Sequence, residues 1–130
     1  MQESLKEGKY YLGDPCFALS EYYHYDVWQD KYKCESGKID LTDKEQDFMI
    51  VHNTHYGDGI YHDSKKRRYN VETGTISLIP FEFIEDIELA KKNGKIFEFI
   101  DEALFIYDAG HFVIRSGHFV IKINTINEEM

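Results

Sequence analysis

The residues best suited to chemistry lie in one segment, His52–Asp63, which holds three histidines, two aspartates and two tyrosines around Gly-Asp-Gly. Imidazole and carboxylate groups can ligate zinc, manganese or iron, and tyrosine rings can stack on a flat ligand. These residue types indicate either a functional surface or a tightly specified hairpin. The sequence contains no complete catalytic motif. We therefore predict no catalytic residue, no metal ligand and no cofactor.

A metal-dependent phosphoester hydrolase is the enzymatic alternative. His52 and His55 would point to opposite faces of a strand, and they lack the helical spacing typical of metalloproteases. His62 could approach either of them across a hairpin, since cross-strand partners lie about 5 Å apart. Asp58 or Asp63 would then complete the ion site, and a metal-bound water would be the nucleophile.

Tyrosines and a basic run near this segment favour a small anionic ligand instead. Tyr56 and Tyr61 could stack on a ring or hydrogen-bond to it. Lys65–Arg68 could hold a phosphate or carboxylate, although a solvated turn is the simpler explanation. We predict a non-enzymatic protein that sequesters a nucleotide-like signal. The predicted ligand-binding residues are Asp14, His52, His55, Tyr56, Asp58, Tyr61, Arg67 and Arg68.

Two aspartates of this set also have structural explanations. Asp14 precedes Pro15, and Asp58 lies between two glycines, so both suit turns. Asp14 at the end of a strand could still face a ligand. Cys16 is interpreted as a buried structural thiol, because its neighbour Asp14 opposes formation of a thiolate.

Size and charge limit the class of protein. The 130 residues suffice for one hydrophobic core, and we predict a single domain over residues 1–130. The formal net charge of −9 argues against nucleic-acid binding but is compatible with an acidic module that inhibits a basic host protein. We find no apolar leader and no stretch long enough for a membrane span. Two cysteines then favour a cytoplasmic protein with reduced thiols, and we expect a homo-oligomer.

Two helices are predicted among the elements that position these residues. Aromatic residues recur at helical spacing and predict a helix over residues 20–33 with one aromatic face packed on a sheet. They are Tyr22, Tyr25, Trp28 and Tyr32. A second short helix is predicted over Ile84–Lys92, ended by Asn93-Gly94.

Strands account for most of the rest, and residues 35–46 are predicted to be loop. Gly57-Asp58-Gly59 predicts one hairpin and Ser116-Gly117 another. Because few helices separate the strands, we predict an α+β fold with a mainly antiparallel sheet, rolled or packed as a sandwich, of about eight or nine strands. The predicted strands are Lys9–Leu12, Phe48–Tyr56, Ile60–His62, Arg68–Val71, Thr75–Ile79, Ile96–Ile100, Leu104–Tyr107, His111–Arg115 and His118–Ile123, and Cys16–Leu19 could resume as a further short strand.

Three segments, Tyr10–Phe17, Thr54–Tyr61 and Tyr69–Ile76, together resemble a family of small uncharacterised proteins from bacteria and their phages. That family carries Gly-Asp-Pro-Cys-Tyr, Tyr-Gly-Asp-Gly-x-Tyr and Val-Asp-Ser-Gly-like segments. Here Phe17 stands where the family often has Tyr, and Glu72 where it often has Asp. The resemblance implies a phage or mobile-element setting but no reaction. It offers as positions to test Asp14, Asp58, Tyr61 and Gly74.

Overall fold

The framework of the protein is β-structure, and the computed structural model describes residues 1–126 of it. Eleven strands occur in this range, two more than the upper number predicted. They are β1 (Gln2–Leu5), β2 (Gly8–Gly13), β3 (Gly37–Asp40), β4 (Phe48–Asn53), β5 (Gly59–His62), β6 (Arg68–Val71), β7 (Thr75–Pro80), β8 (Lys95–Phe99), β9 (Ala103–Asp108), β10 (His111–Ser116) and β11 (Phe119–Asn124).

The described strands form three sheets. The first has the order β1-β9-β10-β11, the second has the order β3-β4-β7-β2-β8, and β5 and β6 form a two-stranded sheet. All the strand pairs between them are antiparallel. The predicted α+β fold with mainly antiparallel strands is therefore confirmed. Among residues 1–126, no helix has the length and apolar character needed to cross a membrane.

Two hydrophobic cores lie on the two faces of the second sheet. On β2, Tyr10 points into the first core and Tyr11 into the second, as the alternation of side chains along a strand requires. Phe105 and Phe112 of the first sheet also enter the first core, which therefore lies between the two larger sheets. The central strand β7 is buried along its whole length, as its β-branched composition predicts.

A helix is present at Tyr22–Lys31, inside the predicted range, but its aromatic face was predicted wrongly. It is a π-helix, and the Tyr32 amide donates to the Val27 carbonyl five residues earlier at 3.1 Å. Each turn then takes more residues than in an α-helix, so a 3.6-residue spacing does not keep one face. Trp28 is buried, whereas Tyr22 and Tyr25 are exposed.

The second predicted helix is present as α1 (Ile87–Asn93), but it begins three residues later than predicted. The side chain of Asp86 accepts a hydrogen bond from the amide of Leu89 at 3.1 Å and caps its first turn. Gly94 follows its end, as the sequence predicted.

Two edge strands were not predicted, and one predicted strand is wrong. In β1 and β3, Leu5 and Ile39 are the sole buried side chains, so neither strand has a hydrophobic pattern that reveals it. Each forms because a neighbouring strand supplies backbone partners. At Pro15–Phe17 the chain forms a 3₁₀ turn, not a strand, because Asp14 caps it and Pro15 occupies its first position.

The predicted hairpin around Gly57-Asp58-Gly59 is also wrong. β4 ends before this turn and pairs with β3 and β7, while β5 pairs with β6. The real hairpin closes at residues 63–67, and most of the basic run lies within this turn. His62 therefore does not approach His52 or His55 as a cross-strand partner. Tertiary pairing with β7 overrode the local turn signal.

The last hairpin is confirmed, with β10 and β11 paired from His111↔Asn124 to Ser116↔Phe119. Its turn residues are Gly117 and His118, and Gly117 adopts a φ of 61°. The repeated His-Phe-Val-Ile sequence thus reflects two paired strands with similar inward and outward faces.

Candidate functional site

The three motif segments of the sequence meet in space at the turn after β6, and Asp14 joins the first of them to that turn. Its carboxylate is fully buried and accepts from the amides of Glu72 and Thr73, both at 2.7 Å. It also accepts from the Thr73 hydroxyl and the Cys16 amide, both at 2.9 Å. Four donors therefore engage the two oxygens of Asp14, which ties the end of β2 to the turn after β6.

The Gly-Asp-Gly turn packs against the turn after β6, to which Asp14 is also bonded. The Tyr61 side chain is 1% exposed, and its hydroxyl donates to the Gly57 carbonyl at 2.9 Å. The Thr54 hydroxyl donates to that carbonyl as well. Gly74 has a φ of 75°, and a Cβ there would lie 3.4 Å from the Cα of Gly57. We call this set the motif clasp; its members are Asp14, Thr54, Gly57, Tyr61, Thr73 and Gly74.

The outer side of the motif clasp carries three of the predicted ligand-binding residues. His55, Tyr56 and Asp58 are exposed, and the His55 and Tyr56 rings meet edge to face with centroids 4.6 Å apart. The His55 amide donates to the Thr125 hydroxyl at 2.9 Å. Hydrogen bonds of Thr54 and of the His55 amide thus hold this loop against the rest of the protein, while the side chains of His55, Tyr56 and Asp58 are exposed to solvent.

His52 lies apart from that surface, between the two larger sheets. It is 8% exposed, and its ring stacks on Tyr107 with centroids 4.1 Å apart. Burial and the nearby N-terminal ammonium lower the pKa of His52 to about 4. Its Nε2 has no hydrogen-bond partner within residues 1–126. His52 is therefore a neutral packing residue at neutral pH.

The basic run lies at the opposite end of the β5–β6 hairpin from Asp58. The two ends are three residue pairs apart, which corresponds to about 10 Å. Arg67 Nε donates to Asp63 Oδ2 at 2.6 Å, and the Tyr69 hydroxyl donates to the same oxygen at 2.7 Å. Arg68 is exposed and donates to the side chain of Asn70. The structure therefore does not bring the arginines and the Gly-Asp-Gly turn together.

The Asp63 carboxylate is held in place by this network. Burial by itself raises its pKa, but hydrogen bonds from Arg67, Tyr69 and backbone amides outweigh burial and lower it. Burial and the bond to Asp63 raise the pKa of Tyr69 above its ordinary value. These groups form the closed turn of a hairpin. Within residues 1–126, no three His, Cys, Asp or Glu side chains group so as to hold a metal ion.

A groove of about 370 Å³ with mainly apolar walls lies on the outer face of the second sheet. Ile87 and Lys91 are one turn apart on α1 and share a face, while Ile96 and Glu98 share a face of β8. We call this groove of about 370 Å³ the basic groove. Its lining residues are Lys9, Phe81, Ile87, Lys91, Ile96, Phe97 and Glu98.

Two amines and one carboxylate line the basic groove. Lys9 and Lys91 form no ion pair with a carboxylate of residues 1–126. The Lys9 ammonium lies 5.4 Å from the centroid of the Phe81 ring, a cation–π distance. Glu98 is the cross-strand neighbour of Lys9. The lining therefore carries a net positive charge in a protein whose overall charge is −9.

Arg67 lies on the opposite face of β8 from this groove, since Phe97 belongs to the first core whereas Ile96 and Glu98 point to the other face. Its guanidinium carbon lies 4.8 Å from the centroid of the Phe97 ring. Its Nη2 is buried and has no hydrogen-bond partner within the described chain. Arg67 is thus held on the first-core side of β8, where it pairs with Asp63, and it contributes no charge to the groove lining.

A smaller pocket, of about 240 Å³, lies on the other side of α1 and is lined by Cys16, His24 and Leu89 among others. Burial and the neighbouring Asp14 raise the pKa of the Cys16 thiol, so it is protonated at neutral pH. Burial lowers the pKa of His24. Cys16 is half-buried and Cys34 exposed, and both thiols are free. The protonated thiol makes Cys16 a poor nucleophile.

Sequence reasoning missed the basic groove because its residues are scattered over ninety positions. Lys9 and Phe81 come from separate strands and turns, and no local motif joins them to Lys91. One signal was available: Ile87 and Lys91 lie one turn apart on a predicted helix, which places an apolar side chain beside an amine.

Comparisons of the chain with protein-family models, with curated proteins and with solved structures found no match. The family resemblance of the three motif segments therefore stays a prediction. In this chain the three segments contact one another in the motif clasp, where each supplies a part of one hydrogen-bonded unit.

Proposed function

We propose that the protein binds and sequesters a small anionic ligand that carries a flat ring, such as a nucleotide, in the basic groove. The observation that carries this proposal is the pair of amines, Lys9 and Lys91, beside an apolar concave wall. An amine that is not paired with a carboxylate is available to an anion. In the phage or mobile-element setting that the motifs imply, the protein would lower the concentration of a host nucleotide signal.

The walls suit the ring of such a ligand. Phe81, Ile87 and Ile96 provide apolar and aromatic surface on which a ring can be buried. A volume of about 370 Å³ lies at the small end of the range for ligand pockets, roughly 300–1,000 Å³. The groove therefore fits one mononucleotide better than a dinucleotide.

The polar groups suit binding more than turnover. Lys9 and Lys91 are point charges that suit a phosphate, and burying the ring beside them strengthens each contact by excluding water. In contrast, the polar atoms of Asp14 and Tyr61 are engaged inside the motif clasp. This difference is why the proposed site is the groove and not the Gly-Asp-Gly segment.

The test is a depletion-and-release assay with a panel of linear and cyclic nucleotides. The protein is incubated with the panel and filtered, and the filtrate and the heat-released fraction are chromatographed. We expect a mononucleotide to leave the filtrate and to return intact after denaturation. Conversion into a new species would show an enzyme, and complete recovery of every nucleotide in the filtrate would overturn the proposal.

A matched pair of double variants locates the site. K9Q/K91Q removes both groove amines, and K65Q/K66Q removes the same charge from the exposed turn of the basic run. We expect the first to weaken binding at least about tenfold, since a hydrogen bond to a charged group contributes about 1.5–3 kcal/mol. Equal losses in both variants would place binding outside the groove or make it non-specific.

A further inference from the structure

We propose that Glu98 makes the basic groove selective for a base that carries an exocyclic amino group. This inference rests on the proposed function and names the class of its ligand. A carboxylate in an anion-binding groove is otherwise unexpected, because it repels the phosphate that the two lysines attract. Glu98 lines the groove together with Lys9 and Lys91.

The placement of the charges orients the ligand. Lys9 and Glu98 are directly paired in the β2–β8 register, so their side chains lie on one face about 5 Å apart at Cβ. They nevertheless form no ion pair within 4 Å in the described chain. Lys91 lies on α1, which forms the other wall. The phosphate is thus favoured away from Glu98, and the amino group of the base is favoured beside it.

The chemistry of the carboxylate then selects the base. A carboxylate accepts hydrogen bonds and cannot donate them, so it pairs with an amino group and is repelled by a carbonyl oxygen. Acidic side chains read the amino group of cytosine in DNA for this reason. Adenine, guanine and cytosine carry such an amino group, whereas uracil, thymine and hypoxanthine do not.

The experiment compares nucleotides that differ by one amino group. Guanosine monophosphate is paired with inosine monophosphate, and adenosine monophosphate with purine riboside monophosphate. Dissociation constants are measured by calorimetry for the unaltered protein, for E98Q and for E88Q. Glu88 is an exposed carboxylate on α1 that does not line the groove, so E88Q is the control for charge.

We expect the unaltered protein and E88Q to prefer the amino-bearing member of at least one pair about tenfold or more. In E98Q the preference should fall below about threefold, because a neutral amide oxygen accepts a weaker hydrogen bond from the amino group than a carboxylate does. If Glu98 only supported folding, E98Q would not change the ratio of the two dissociation constants within a nucleotide pair. Because Glu98 is exposed, E98Q is expected to fold.

The outcomes separate this inference from the proposed function. Nucleotides that bind without an amino preference, or with a preference that E98Q leaves unchanged, would overturn the role of Glu98 and leave the groove as an anion site. Binding of phenyl phosphate but of no nucleotide would also overturn the role of Glu98 and leave the groove as an anion site. If neither nucleotides nor phenyl phosphate bind, both proposals fail.

Discussion

The motif clasp and the basic groove contain polar groups in opposite situations. In the motif clasp, Asp14 is 0% exposed and its oxygens accept four hydrogen bonds, and the Tyr61 hydroxyl is likewise bonded inside the protein. In the basic groove, Lys9 and Lys91 are exposed and form no ion pair within the described chain. The most recognisable sequence therefore builds the fold, and unremarkable residues line the cavity.

This difference has a physical origin. Three chain segments that cross in the interior leave backbone amides without partners, and a buried aspartate can satisfy several of them at once. Such a solution restricts residue type at each position and so produces motifs. A ligand site on an open face requires charge and apolar area, and many residue types can supply both. Variants of the two regions should therefore separate stability from binding.

The largest effect is expected for Asp14→Ala. Removing a fully buried acceptor leaves two amides of the 71–74 turn without partners, and we expect a loss of about 3–5 kcal/mol in the free energy of unfolding, measured with denaturant. The exposed Asp58→Ala is the control and should change it by less than about 0.5 kcal/mol.

If Asp14→Ala does not fold, Asp14→Asn keeps one acceptor oxygen and should show roughly half of the loss. A loss below about 1 kcal/mol in both variants would mean that the carboxylate is not essential to the motif clasp. Asp14 would then be available for a role in binding.

The next effect concerns pH and His52. Because burial lowers its folded pKa to about 4 from an ordinary value of 6.5, the neutral form stabilises the fold above pH 6.5. This contribution is lost as the pH falls towards 4, and it amounts to about 2 kcal/mol between pH 7 and pH 5. Denaturant unfolding at both pH values measures it.

His52→Phe keeps a ring on Tyr107 but cannot be protonated. The variant should lose less stability than the unaltered protein over this range, and His55→Phe, at an exposed site, should not share the change. The same pH dependence in the unaltered protein and His52→Phe would show that other groups cause it.

A smaller effect is expected for Tyr61→Phe. The variant loses the hydroxyl that donates to the Gly57 carbonyl, which corresponds to about 1 kcal/mol. Tyr56→Phe removes a hydroxyl from a side chain that is 54% exposed, and its unfolding free energy should stay unchanged within about 0.5 kcal/mol. Equal changes in the two variants would contradict the interior role of Tyr61.

The smallest effect on stability is expected in the basic groove. K9Q/K91Q should unfold within about 0.5–1 kcal/mol of the unaltered protein, since both side chains are exposed and form no ion pair, and the Lys9–Phe81 cation–π contact is weak at an exposed site. Together with its weaker ligand binding, this result would complete the contrast with Asp14→Ala. A large loss of stability would show that the lysines support the fold and would remove the contrast.

Local pattern predicted those elements whose signal lies within a few residues. Thr75–Pro80 is rich in β-branched residues and is a buried central strand, and Gly117 supplies the turn of the last hairpin. Edge strands were missed where one buried side chain, such as Leu5 or Ile39, was the whole signal. The predicted binding set was scattered because strand pairing, which sets distances across the fold, is not encoded locally.

The sequence by itself determined the class of fold, the presence of two short helices and the turn of the last hairpin, because side-chain alternation, capping residues and glycines act over a few bonds. The tertiary structure decided the rest. It joined β4 to β7 and not to β5, engaged Asp14 and Tyr61 in the interior, and brought Lys9 and Glu98 to one groove with Lys91. These outcomes depend on which strands exchange backbone hydrogen bonds, a choice made by the packing of the whole core.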